Sequence, residues 1–243
     1  MSGSILITGA SSGIGAATAR LFLEDGWTVG LMARRADRLA ELADGQDQAV
    51  VLPGDVTDPE AVEAAVAGLA ERAGRLDVLF NNAGLFGQAA TIDEVPLEVW
   101  REVVDVNLTG MFLAARAAFA QMRRQAPQGG RIVNNGSISA HVPREHAVCY
   151  TTTKHAITGL TRQLSLDGRP FDIACGQIDI GNARTPLLEE LAARNAAAGL
   201  PEVHMMDVSH AAEAVLHMAR LPLSANVQFM TIMATQMPYI GRG

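Results

Sequence analysis

Along the chain, apolar runs of strand length alternate from end to end with longer stretches whose apolar residues recur every three or four positions. A parallel sheet flanked by helices produces this pattern, because each strand is buried on both faces and each crossover helix on one. The runs predict strands over 4–8, 27–33, 49–53, 77–81, 131–136, 171–178 and 227–233, with helices in the gaps. The best-marked helix spans 58–73. There Asp58 caps, Pro59 takes the first helical position, Ala61, Val62, Ala65, Val66 and Leu69 form an inward stripe, and Gly74 stops the helix. Longer helices are expected over 97–124 and 148–167. No repeat, low-complexity tract or Pro-rich linker divides the chain, so residues 1–243 read as one α/β domain. The stretch 186–206 is the exception: an Ala-rich, charged helix interrupted by Gly199 and Pro201, longer than a regular crossover, reads as a lid.

Composition narrows the picture. In 243 residues, 49% hydrophobic content is ample for a sizeable core. Largely apolar runs such as 4–8 and 76–80 have strand length, and none approaches the roughly 20 residues that span a bilayer. The start, Met1-Ser2-Gly3-Ser4-Ile5, lacks a basic segment followed by a long apolar one, so a cytoplasmic protein is expected. Cys149 and Cys175 give neither a disulfide framework nor metal-ligand spacing, and His204, His210 and His217 show none with carboxylates; no metal is expected. A net charge of −7 disfavours a nucleic-acid partner.

The chemistry starts at Thr8-Gly9-Ala10-Ser11-Ser12-Gly13-Ile14-Gly15, which follows an apolar strand and opens a helix. Gly9 permits a tight turn, Gly13 and Gly15 allow close approach, and helix N–H groups can face a pyrophosphate. Near the end of the second strand, where an acid would meet a ribose 2′-hydroxyl, the chain has Ala33-Arg34-Arg35. Two guanidinium groups there suit a 2′-phosphate, which favours NADP(H) over NAD(H); the bland alternative is a solvated helix start with Asp37 as partner. Asp55-Val56 is placed either for an adenine amino group or for capping around Thr57. Asn81-Asn82-Ala83-Gly84 ends the fourth strand, where backbone passes close to a ligand. Tyr150 and Lys154 share one helix face four residues apart, and a cation beside a phenol favours the phenolate. Alone, that pair would be ordinary helix surface.

Taken together, TGASSGIG at 8–15, NNAG at 81–84, Asn107, Ser137, Tyr150 and Lys154 resemble the short-chain dehydrogenase/reductase family, in family order and over essentially the whole chain. The resemblance implies a single doubly wound Rossmann-type domain with a seven-stranded parallel sheet. It implies hydride transfer between a nicotinamide and a carbonyl or alcohol. By position, Tyr150 would be acid and base, Lys154 its partner and a ribose ligand, Ser137 the donor to the substrate oxygen, and Asn107 the holder of a relay water. Ser139 competes with Ser137, which is favoured because it directly follows the strand. The implied cofactor contacts are Gly9, Ser11, Ser12, Gly13, Ile14, Gly15, Arg34, Arg35, Asp55, Val56, Asn82, Ala83, Gly84, Tyr150, Lys154, Gly181 and Thr185. Two positions depart from the family: Ile180 replaces a proline, and Ser12 stands where many NADP-linked relatives carry a basic residue.

The pocket beyond the nicotinamide is expected from 141–146 and the 186–206 lid. Arg144 there suits either an anionic substrate or, the stronger reading, a solvated rim. A homo-oligomer, dimer or tetramer, is expected by analogy through 97–124 and 148–167. The apolar strand at 228–233 and the tail at 237–241 belong either to an interface or to the core. The competing functions are a 3-oxoacyl-acyl-carrier-protein reductase, which calls for a basic docking patch hinted at by Arg123, Arg124 and Arg162, and a dinucleotide-sensing module without turnover.

Overall fold

A computed structural model describes residues 3–240. Its seven strands are β1 (Ser4–Thr8), β2 (Thr28–Ala33), β3 (Ala49–Pro53), β4 (Val78–Asn81), β5 (Gly130–Asn135), β6 (Ile173–Ile180) and β7 (Phe229–Ile232). All pair in parallel, in the order β3-β2-β1-β4-β5-β6-β7. The chain is a single Rossmann-type domain.

The alternation of side chains along each strand divides the core in two. Ile5 and Ile7 of β1 face one way, into a cluster with α1 (Gly13–Glu24), Leu39 of α2 (Ala36–Ala43), and α8 (Val208–Arg220). Leu6 faces the other way, toward α3 (Pro59–Ala73) and α5 (Met111–Arg124). In α3, Asp58 accepts N–H bonds from Glu60 and Ala61, Val62, Ala65, Val66 and Leu69 are buried, and Gly74 takes φ +81 at the stop.

Three expectations need correction. The expected helix over 97–124 is continuous, but it is α4 (Leu97–Val104), a π turn at Asp105–Gly110, and α5. The turn buries Asn107 and Gly110, and a side chain at Gly110 would meet Val56 Cγ2 at 2.9 Å. With 28 residues the same helix is long and apolar enough to cross a bilayer by composition; here its Val103, Met111, Ala114, Ala118 and Met122 are buried in the fold. The sixth strand starts and ends later than 171–178, because a 3-10 turn at Arg169–Phe171 and Asp172 at φ +53 redirect the chain first.

The helix carrying Tyr150 and Lys154, α6, runs Val148–Gly168. The 186–206 segment forms α7 (Pro186–Ala197) and an irregular return that rejoins its own base: Arg184 N–H donates to Met206 O at 2.8 Å and Met206 N–H to Asn182 O at 2.9 Å. At the chain end, Met237 packs with Ile138 and Ala234, whereas Phe229 and Ile240 are exposed. The expectations concerning Met1, Ser2 and Gly241 fall outside the described residues.

Candidate active site

The carboxyl ends of the central strands open into one cleft of about 590 Å³. It lies where the strand order reverses, between β1 and β4, the position at which doubly wound sheets receive ligands. All the cofactor contacts expected from the sequence except Gly15 line it.

Its nucleotide end is made mainly of backbone. After Thr8 the chain turns through Gly9 at φ +70, a conformation glycine adopts without cost. Gly15 lies in α1, and a Cβ there would collide with the Gly9 carbonyl and stand 2.8 Å from Asn82 Nδ2. Gly15 is thus behind the turn and permits it. Helix α1 opens at Gly13 with no side-chain cap from Ser12 and no acid in its first turn, so the positive end of its dipole meets the cleft without a carboxylate. Thr8 Oγ1 accepts the N–H bonds of Asn82 and Ala83 at 2.9 and 3.0 Å. Asn82 returns a bond to Thr8 O at 2.9 Å and accepts from Asn135 Nδ2 at 2.8 Å, stitching β1, β4 and β5 together.

Both arginines are at this rim. Arg35 Nη2 donates to Ser11 Oγ at 2.9 Å. Arg34 Nη1 lies 3.9 Å from Asp55 Oδ2, an exposed pair of small energetic weight; the acid it meets is Asp55, not Asp37. Asp55 Oδ1 accepts from Thr57 N and Oγ1, both at 2.9 Å, so it does the capping considered for it while its outer edge lines the cleft.

The other end is built from side chains. Tyr150 is half-buried, its ring 5.1 Å from that of Phe86, and Lys154 Nζ stands 5.4 Å from the Tyr150 ring centre. Lys154 is buried, and its ammonium donates to Asn135 O at 2.7 Å, which fixes it against the end of β5. Ser137, on the cleft wall, caps the short turn Ile138–Ala140 by accepting from Ser139 N at 3.1 Å. Ser139 is fully buried, and its hydroxyl has no hydrogen-bond partner among the described residues. The Asn107 amide is spent on Leu85, accepting its N–H and donating to its carbonyl, both at 2.8 Å, with Thr153 Oγ1 at 3.3 Å. Asn107 is buried in the π turn and is off the cleft wall.

Asp179 is the residue that the sequence reading missed. Its side chain is fully buried in β6: Oδ1 accepts from Ser137 N at 2.9 Å and Gln177 Nε2 at 2.7 Å, and Oδ2 meets His141 Nε2 at 2.8 Å. A side chain at Gly136 would collide with Asp179 Oδ1, so that glycine makes room for the carboxylate. The signal was an acid between two isoleucines on a strand buried on both faces, just beyond the predicted strand end.

The expected substrate wall is also narrower than 141–146 and 186–206. His141 is turned to Asp179, and His146, at φ +56, gives its carbonyl to Ala90 N. Of the first segment Arg144 lines the cleft, and of the second Pro186, Leu187 and Leu188, in the first turn of α7. Gly181 and Thr185 line it too; Thr185 caps α7 through Leu188 N, and its Cγ2 lies 3.2 Å from where a Gly13 Cβ would be.

The family model described as short chain dehydrogenase matches residues 4–196. The 3beta-hydroxysteroid dehydrogenase of Mediterraneibacter gnavus is 34% identical over 193 residues, covering 78% of this chain and 69% of that protein. Among solved structures, the closed form of serine dehydrogenase complexed with NADP+ superposes with TM-score 0.88 at 26% identity, over 99% of this chain and 98% of that one. Actinorhodin polyketide ketoreductase with NADPH gives TM-score 0.85 at 29% identity, over 96% of each chain.

Proposed function

The chain belongs to the short-chain dehydrogenase family and is a nicotinamide-dependent oxidoreductase, and from this premise we propose that it is NADP(H)-preferring and acts on a carbonyl or secondary alcohol, with Tyr150 as acid and base. The carrying observation is the convergence on one cleft of Tyr150, Lys154 and Ser137 with a glycine turn that any side chain at Gly15 would block.

The cradle fits a dinucleotide: the open N-terminus of α1 would take the pyrophosphate, Arg34 and Arg35 the 2′-phosphate, and Lys154, Gly181 and Thr185 the nicotinamide end. The cofactor supplies or accepts the hydride. In reduction Tyr150 gives its phenolic proton to the substrate oxygen, and in oxidation it takes that proton back. Ser137 accepts from Ser139 N, which pins its oxygen and leaves its own O–H to donate to the same substrate oxygen. Lys154, held by Asn135 O, presents its charge beside the phenol. A binding module without turnover needs none of these three groups.

Substrate identity does not follow from likeness, since the similar proteins carry steroid, serine and polyketide names. A carrier-protein-linked 3-oxoacyl chain is the second reading, favoured by the likeness to the polyketide ketoreductase. Against it, two of the three candidate docking cations stack on the chain's own rings, Arg123 over Phe171 at 4.2 Å and Arg162 over Phe229 at 5.6 Å. We place the enzyme in the cytoplasm as a homo-oligomer, using the exposed Phe112 on α5 and Leu166 on α6.

The test is a panel of carbonyls and alcohols with NADPH and NADH, run on the wild type and on Tyr150→Phe. The variant is expected to lose at least about a thousandfold in kcat while binding cofactor as before. Substantial residual turnover would remove Tyr150 from its role.

A further inference from the structure

We propose that His141 is a positioning residue for the reaction: given Ser137 as the donor to the substrate oxygen, His141 acts through Asp179 to hold that serine in place on the cleft wall. His141 itself lies off the cleft wall, so it works at one remove from the substrate.

One carboxylate grips both ends of the turn 137–141. Ser137 opens the turn and donates its N–H to Asp179 Oδ1 at 2.9 Å. His141 closes it, with Nε2 at 2.8 Å from Asp179 Oδ2. Inside the turn Ser139 N–H donates to Ser137 Oγ at 3.1 Å, Ala140 N–H to Ser137 O at 2.8 Å and His141 N–H to Ile138 O at 3.1 Å. The place of Ser137 Oγ is therefore set by a turn whose two ends close on the same side chain. An ionised carboxylate only accepts, so the His141 ring donates from Nε2. Among the described residues His141 is the sole donor to Oδ2, whereas Oδ1 also takes Gln177 Nε2 at 2.7 Å.

Stability alone does not account for this arrangement. A fully buried carboxylate is costly, and a packed apolar side chain at such a site is often as stable. The fold nevertheless makes room for it. Gly136, next to Ser137, lacks the side chain that would collide with Oδ1. Gln177, on the same face of β6, is fully buried and braced by α6: its Nε2 donates to Thr158 Oγ1 at 3.2 Å and its Oε1 accepts from Thr161 Oγ1 at 3.1 Å. Gln177 thus fixes one oxygen of the carboxylate, and His141 fixes the other. The His141 side chain is 40% exposed, so replacing it opens no cavity in the core.

The experiment measures NADPH-dependent reduction of the best carbonyl in the panel by wild type, His141→Leu and His141→Gln, each with Ser137 and with Ser137→Ala. Glutamine keeps a donor near the place of Nε2. His141→Leu is expected to lower kcat about tenfold with KM and cofactor affinity nearly unchanged, and His141→Gln to regain most of it. With Ser137→Ala the further loss from His141→Leu should vanish, because no hydroxyl remains to be placed. An unchanged kcat in His141→Leu, no recovery in His141→Gln, or the same tenfold loss on top of Ser137→Ala would overturn the proposal. Should no carbonyl turn over, or Ser137→Ala cost nothing, the serine's role in the reaction fails separately. Exchange of the Ser137 amide proton, followed by NMR, then decides whether His141 holds that residue. Exchange about tenfold faster in His141→Leu and restored in His141→Gln upholds the hold; equal exchange in all three proteins overturns it.

Discussion

The two ends of the cleft are built from different materials. At the nucleotide end, the groups facing the ligand are mainly backbone, and side chains there act by being absent, as at Gly9 and Gly15. At the substrate end the site is carried by side chains: buried Asp179 accepts from Ser137 N and Gln177 Nε2 and meets His141 Nε2, and buried Lys154 separately donates to Asn135 O. A backbone site is set by the path of the chain and tolerates changes in the residues around it. A side-chain network has no such tolerance, because removing one partner leaves another buried and unsatisfied.

The largest effect outside Tyr150 is therefore expected at Asp179. In Asp179→Asn the shape is kept, but an N–H₂ replaces one of two oxygens that now serve Ser137 N, Gln177 Nε2 and His141 Nε2. Losing a charge-assisted bond of about 2–3 kcal/mol at the Ser137 anchor should lower kcat about 30- to 100-fold. Cofactor affinity, measured by fluorescence titration, should stay put. A matching loss of cofactor affinity would show that the two ends are not separable, and the contrast between them would fail.

At the nucleotide end, Arg34 and Arg35 are side chains in a backbone site, so they should decide which cofactor is chosen and not whether one binds. Arg34→Ala with Arg35→Ala is expected to raise the NADPH KM about tenfold and to leave the NADH KM nearly unchanged. Equal effects on the two cofactors would reject the 2′-phosphate role. It would also mean that the Arg35–Ser11 bond holds the glycine turn itself.

The same contrast explains what could be read in the sequence. The glycine turn, α3 with its Asp58 cap and Gly74 stop, and the strand alternation depend on neighbours a few residues apart, so their signals are local. Tyr150 and Lys154 were legible because one helix face fixes their spacing. Asp179 was not, since it meets His141 and Ser137 across 38 and 42 positions and lay beyond the predicted strand end. Arg131 was equally hidden. It is 1% exposed on the central strand β5, donating to Asn226 Oδ1 and the carbonyls of Leu221, Pro222 and Ala225, and burial lowers its pKa. No sequence rule places a charge there, because its partners are backbone oxygens of a loop about 90 residues later. The lid was legible as an irregular stretch, whereas its return through Met206 to Asn182 depends on pairing invisible in composition.

Cys175 tests the smallest consequence of burying polar groups behind the substrate end. It lies on β6 two residues before Gln177, with Asn134 Nδ2 at 3.7 Å from its Sγ, and burial pushes the thiol up from an ordinary 9.0 to about 12. Below pH 9 the thiol is protonated in both folded and unfolded chains, so its contribution to stability is fully present. Between about 9 and 12 the unfolded chain releases the proton while the folded one keeps it; the unfolded state binds fewer protons, and stability falls as pH rises. From pH 9 to 10.5 the loss should reach about 1–2 kcal/mol. Other groups titrate in this range, so the measurement is the difference in urea-unfolding free energy between wild type and Cys175→Ala across it. A difference that grows with pH in favour of the variant locates the strain in this thiol. Parallel curves would mean that the region around β6 admits enough water to solvate a thiolate, and the same water would weaken the Asp179 anchor behind Ser137.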